Sequence, residues 1–172
     1  MIETHAHDNE DCVDRVVGEA VSLCAEKGVR LTEQRKSVLK VLASSHVPAS
    51  AYDILNQLNR ERKEQGESML APVSVYRALD FLIQHGIIHR IESRNAYIAC
   101  SESHTPHGEA TIFLLCEKCG RADEFQSESL GGMIEAIASA ASFKPNEPVM
   151  EIRGLCADCR KIEDESRKSV EN

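Results

Sequence analysis

The chain has no tryptophan and only seven aromatic side chains among 172 residues, four Phe and three Tyr. Stacked rings cannot build its core, so Leu, Ile, Val and Ala must fill it from an apolar fraction of 42%. No apolar run approaches the ~18 residues that a membrane-spanning helix requires. The first residues are acidic and polar, unlike a secretory signal. These absences lead us to expect a cytoplasmic protein with no membrane partner. No nucleophile–base pair and no open catalytic metal with an evident pocket stands out, so an enzyme is not expected. No segment repeats another.

What is present is cysteine in pairs. Cys116-Glu117-Lys118-Cys119 and Cys156-Ala157-Asp158-Cys159 are separated by 36 residues. Two such pairs supply the four thiolates of a closed, tetrahedral structural zinc site, with sulfurs about 2.3 Å from the ion. Gly120 follows the first pair and Gly154 precedes the second, where a tight backbone bend is expected. Two disulfides or packed thiols are the competing readings. A reducing compartment favours metal over the disulfides.

Net charge is −8, unpromising for nucleic acid, but it is unevenly spread. Residues 1–26 carry one basic and seven acidic side chains, residues 27–99 eleven and seven, residues 100–172 eight and fourteen. A basic middle between acidic flanks is compatible with one DNA-facing surface.

Periodicity organises the chain into an α+β fold. Val13, Val16, Val17, Ala20, Leu23 and Cys24 make a helical stripe that ends at Lys27-Gly28. Thr32 caps a second helix whose core side is Val38, Leu39, Val41 and Leu42. Ser50-Ala51-Tyr52-Asp53 resembles a capping box and opens a third, with Ile54, Leu55 and Leu58 inward. Residues 60–71 read as a fraying end and a loop. Pro72 starts a fourth helix with Val75, Leu79, Leu82 and Ile83 buried and Tyr76, Arg77, Asp80 and Gln84 on the other face. Gly86 ends it. Two short apolar runs, 87–91 and 96–100, flank a polar turn and predict a β-hairpin. Three helices and a hairpin make a winged helix, here with an extra leading helix. Beyond a hinge at 101–109, strands are expected at Thr111–Leu115, Ala122–Phe125 and Pro148–Arg153. A helix is marked by Leu130, Met133, Ile134, Ile137 and Ala141. The expected organisation is a loose tail over 1–12, a winged helix over 13–100, a small α/β zinc domain over 110–163 and a solvated tail over 164–172.

His89, Cys100, His104, His107 and Glu124 form a second group of ligand types. A two-residue turn at Arg94-Asn95 would set Ile91 opposite Ile98 and His89 opposite Cys100. Directly opposed Cβ atoms lie about 4.5–5.5 Å apart, close enough to share an ion. His107 from the hinge and Glu124 from the following strand could join them. A thiolate in the set favours zinc over manganese or ferrous iron.

With Pro72-Val73-Ser74-Val75-Tyr76-Arg77-Ala78-Leu79 followed by His89, Cys100 and the paired cysteines, the chain resembles the ferric uptake regulator family, and more narrowly its zinc uptake regulator branch. The resemblance spans roughly residues 13–160. It implies a dimeric repressor, a homodimer on double-stranded operator DNA, with a winged-helix domain and a dimerisation domain. It also implies two zinc ions per chain: a structural one on Cys116, Cys119, Cys156 and Cys159, and a regulatory one on His89, Cys100, His107 and Glu124. Arg77 and Tyr52 match DNA-contacting residues. Ser74 stands where the family usually has Thr, and Tyr76 shares the exposed face of Arg77. The dense His/Asp run of iron sensors is reduced here to His104-Thr105-Pro106-His107. His107 is preferred to His104 as the ligand for its place nearer the strand. The resulting expectation is a zinc-responsive repressor of zinc uptake genes. Its rivals are an iron, manganese or peroxide sensor on the same fold, a zinc hydrolase with Glu124 as base, and a zinc-ribbon adaptor.

Overall fold

The computed structural model describes residues 9–100, 110–146 and 148–170, with backbone only at 9, 10 and 168–170. The chain divides into two units, Met1–Ser103 and His104–Asn172. The α+β class expected from the sequence is observed.

In the first unit, α1 (Asn9–Glu26), α2 (Glu33–Ala43), α3 (Ala51–Glu64) and α4 (Pro72–Gln84) precede a hairpin of β1 (Ile88–Ile91) and β2 (Ala96–Ala99). The central helix, α2, packs against α1, α3, α4 and β2. Its stripe (Val38, Leu39, Leu42) meets Ile54 and Leu58 of α3 and Val75, Leu79 and Leu82 of α4 in one continuous core. Cys24 lies in that core too, and burial pushes its thiol pKa up. It packs as a small apolar residue.

Local signals explain the helix ends. The Thr32 hydroxyl accepts from Arg35 N–H. Ser50 and Asp53 make the reciprocal capping box foreseen from sequence. Gly86, at φ 70°, stops α4: its N–H reaches Ile83 O at 2.8 Å, and Ile87 N–H reaches Leu82 O at 2.9 Å.

Several expectations need correction. Helix α1 begins at Asn9, four residues before the stripe, because an apolar stripe marks what packs and not where the helix starts. So residues 9–12 are helix, and the rest of the expected tail lies outside the described residues. Helix α3 runs on through charged residues to Glu64, leaving a shorter loop. Ile83 is 38% exposed while Ala78 is buried, so the inward face of α4 is rotated toward Ala78.

The hairpin register differs as well. A 3-10 turn at Glu92–Arg94 and Asn95 in the left-handed region (φ 47°) close it, so Ile91 pairs with Ala96 and His89 with Ile98. A two-residue turn would need a tighter reversal than this turn makes. The displacement is even, so every side chain keeps its expected face. The hairpin also bridges back to the start of α3: Ala49 and Tyr97 exchange backbone hydrogen bonds of 2.9 and 2.8 Å.

The second unit holds β3 (Ala110–Cys116), β4 (Ala122–Ser127), α5 (Glu128–Ala140), β5 (Val149–Gly154) and α6 (Ala157–Val170). Its sheet order is β4-β3-β5, with β3 antiparallel to β4 and parallel to β5. Phe113 and Leu115 of the central strand are its large buried side chains among the described residues. The helix expected from the stripe Leu130, Met133, Ile134, Ile137 and Ala141 forms as α5, and much of that stripe is uncovered, with Met133 63% and Ile137 70% exposed. The expected solvated tail is helical as far as Val170; residues 164–167 are exposed, and Arg167 pairs with Glu163. The expected hinge, with His104 and His107, lies outside the described residues. No helix among the described residues is long and apolar enough to cross a membrane.

Candidate metal centres and nucleic-acid interface

Cys116 ends β3, and Cys119 sits on the turn into β4. Gly120, at φ 82°, lets that turn close, donating to Cys116 O at 3.1 Å, and Cys116 N–H donates to Arg121 O at 2.8 Å. Cys156 directly precedes α6 and Cys159 lies in its first turn. Parallel pairing of β3 with β5, extended by Glu117 N–H to Gly154 O at 2.9 Å, brings the two pairs together. Gly154 itself needs no special backbone: its φ is not positive and a Cβ would meet open space, so the bend expected there is absent.

All four sulfurs lie within 4.8 Å of one another. Cys119 and Cys156 are 3.8 Å apart sulfur to sulfur. A tetrahedron with 2.3 Å metal–sulfur bonds has edges of about 3.8 Å. The four thiols are therefore spaced as zinc ligands without disulfide bonds, and their softness suits zinc.

The electrostatics point the same way. The Cys116 sulfur accepts backbone N–H groups, first that of Cys119 and then that of Cys156 at 3.4 Å, and its pKa falls to about 6. Burial and the neighbouring sulfurs push Cys159 up to about 12. One thiolate is stabilised in advance, and four need a divalent cation between them. A metal held here would be closed off by protein ligands, which leaves no position for a catalytic water.

The hairpin carries a smaller donor pair. His89 on β1 is half-buried and Cys100, just past β2, is 6% exposed. Cys100 N–H donates to Ile87 O at 3.1 Å. The two residues are thus diagonal on one face and not directly opposed. A ring nitrogen of His89 and the Cys100 sulfur still lie within 4.8 Å, because the imidazole spans the extra distance. In the second unit, Glu124 pairs across strands with Phe113 and is the buried carboxylate among the described residues.

The outer face of α4 presents Tyr76, 51% exposed, with Arg77, Asp80 and Gln84 also exposed. Ser74 is half-buried in the first turn, its N–H on Ala71 O at 2.9 Å. Tyr52, near the start of α3, is 70% exposed. Sequence reading overlooked Val73, 53% exposed on the same face. Its spacing was the available signal, three residues before Tyr76 and four before Arg77.

Residues 26–153 match the model of the ferric uptake regulator family. The zinc uptake regulation protein of Escherichia coli (strain K12) is 36% identical over 148 residues, which cover 86% of this chain and 83% of that protein. A solved structure of a zinc uptake regulator complexed with zinc and DNA superposes with a TM-score of 0.78 at 33% identity, covering 88% of this chain and 97% of the other. The crystal structure of holo XcZur gives 0.76 at 36% identity, covering 86% and 99%. The chain belongs to the ferric uptake regulator family.

Proposed function

We propose that this protein is a zinc-responsive, dimeric transcriptional repressor that binds operator DNA when regulatory zinc is bound and controls zinc uptake genes in the cytoplasm. It is a regulator, not an enzyme, as its relatives are. The observation that carries the reading is the placement of His89 and Cys100. A thiol–imidazole pair sits on the hairpin of the same unit whose α4 exposes Tyr76 and Arg77.

In this reading each chain takes two zinc ions. Cys116, Cys119, Cys156 and Cys159 hold a structural one. His89 and Cys100, completed by His107 and Glu124, hold the regulatory one. His107 and Glu124 belong to the other unit by sequence, so zinc there restrains the DNA-binding unit relative to the rest. DNA favours the same restrained state, and each ligand tightens the other. Helix α4 enters the major groove, with Tyr52, Ser74, Tyr76 and Arg77 at the DNA. Dimerisation runs through the second unit. Exposed Met133 and Ile137 on α5 and Val149 and Ile152 on β5 support it. The thiol among the regulatory ligands, together with the similarity to zinc uptake regulators, favours zinc over iron, manganese or peroxide sensing.

The deciding experiment is operator affinity across a buffered zinc series for the wild type and Cys100→Ser. The wild type gains roughly five-fold or more from zinc. Cys100→Ser keeps its fold, its dimer and its four-cysteine zinc, and loses that gain. A mutant that retains the zinc response refutes the regulatory site. A wild type that responds to ferrous iron and not to zinc refutes the metal.

A further inference from the structure

The start of α4 is held in an unusual way. Among α2 to α5, three helices begin with a side-chain cap, from Thr32, Ser50 and Ser127, whereas α4 begins at Ala71 with none. Pro72 in the first turn sets its own φ but makes no hydrogen bond that would orient the helix. The segment leading into it, 65–71, contains Gly66 at φ 73° and exposed Met69, neither of which anchors it.

The anchor comes from α3. The side-chain amide of Asn59 grips one residue of that segment with both its groups. Its Oδ1 accepts from Leu70 N–H at 2.6 Å, and its Nδ2 donates to Leu70 O at 3.3 Å. One turn further along α3, Arg62 donates from Nε to Ser68 O at 2.6 Å and pairs with Glu67 at 2.8 Å. Leu70 immediately precedes the N-cap position of α4. A planar amide bonded to both the N–H and the C=O of one residue holds the two peptide groups that flank it, and so fixes that residue in position and rotation.

We infer that Asn59 is a positioning residue for DNA recognition: through Leu70 it sets the axial place and rotation of α4, and so where Tyr76 and Arg77 meet the bases. The inference rests on the proposed DNA-binding role of α4. Base readout depends on hydrogen bonds of narrow geometry, whereas attraction to phosphate tolerates displacement. A loosened α4 therefore loses discrimination more than it loses general DNA affinity.

The test uses the full-length zinc-loaded protein with Asn59→Ala, which removes both bonds, and Asn59→Asp, which keeps an acceptor for Leu70 N–H. Affinity is measured on operator and on random-sequence DNA at one salt concentration. Amide exchange at Leu70, zinc content and the thermal midpoint are measured alongside. Asn59→Ala is expected to lose about ten-fold on operator, the size of one misread base pair. It keeps random-DNA binding within about two-fold and exposes the Leu70 amide to exchange. Asn59→Asp falls between it and the wild type. Equal losses on both DNAs, or full operator affinity with an unprotected Leu70 amide, overturn the inference. Should Asn59→Ala fail to fold, Asn59→Asp decides alone: a folded, zinc-replete protein with wild-type discrimination overturns it. A wild type that does not itself prefer operator overturns the DNA-binding reading as well, and that outcome is distinct from a failure of the variants.

Discussion

The two units solve the burial problem in opposite ways. In Met1–Ser103, four helices close around Val38, Leu39, Ile54, Leu79 and Leu82, each essentially inaccessible to solvent. Among the described residues of His104–Asn172 the large buried side chains are Phe113 and Leu115, while Leu114, Met133, Ile137, Phe143, Val149, Ile152, Leu155 and Ile162 are exposed. The first unit has a core sufficient for its size. The second has, among the described residues, a three-stranded sheet, the two helices α5 and α6, and four thiols gathered at one end. A small domain with so little buried apolar surface needs a metal, a partner or both. In the proposed reading the difference suits a sensor: the unit assigned to DNA has a closed core, and the unit assigned to dimerisation depends on what binds it.

The largest effect that would break this contrast is removal of the four-thiol site. Cys119→Ser is expected to lose one zinc per chain and unfold the second unit, since structural zinc contributes apparent folding free energy of about 10 kcal/mol or more. The first unit is expected to stay folded. Amide exchange resolved by region, with metal counting, checks this; a folded, dimeric, zinc-free Cys119→Ser protein contradicts it. The converse substitution is Leu39→Ala, which opens a cavity under α2. It is expected to cost the first unit about 2–5 kcal/mol while leaving the four-cysteine zinc bound. Denaturant unfolding followed separately in the two units would show whether they are independent.

A smaller effect is expected at the uncovered face of α5. Ile137→Glu puts a charge on an exposed apolar residue. It is expected to leave the isolated chain folded and to weaken dimerisation by at least about 2 kcal/mol. Sedimentation at graded concentrations reads this directly, and an unchanged dimer constant removes α5 from the interface. Smallest is Arg77→Ala, predicted to weaken operator binding by about 1–3 kcal/mol with metal content and dimer unchanged. If Arg77 contacts phosphate instead of a base, random DNA weakens equally and the salt slope falls by about one.

How far these features were legible varies with how local they are. Caps and stops at Thr32, Ser50, Asp53 and Gly86 could be read because each is satisfied within a few residues of itself. The α4 face was legible by period, although Ile83 and Val73 mark its limits. Position on the stripe does not say how far a neighbouring helix reaches over it. The hairpin was recognised but its register was not, because the 3-10 turn that sets it has no strong residue signature. His89 and Cys100 kept a common face only because the displacement was even. The α5 stripe was legible as a stripe, but period alone does not tell what covers it.

By itself the sequence determined the α+β class, the order of the helices and strands as far as β5 but not α6, the two cysteine pairs as one candidate ligand set, and the membership of Tyr76 and Arg77 in one exposed face. Those properties follow from short-range spacing, turn chemistry and ligand type. Only the tertiary structure decided that β3 and β5 run parallel and so bring Cys119 within 3.8 Å of Cys156. It also decided that His89 reaches Cys100 diagonally, and that Asn59 of α3 holds Leu70 at the entrance to α4. Each of these joins residues 11 or more positions apart. Strand pairing and helix packing set such distances, and no local pattern encodes them.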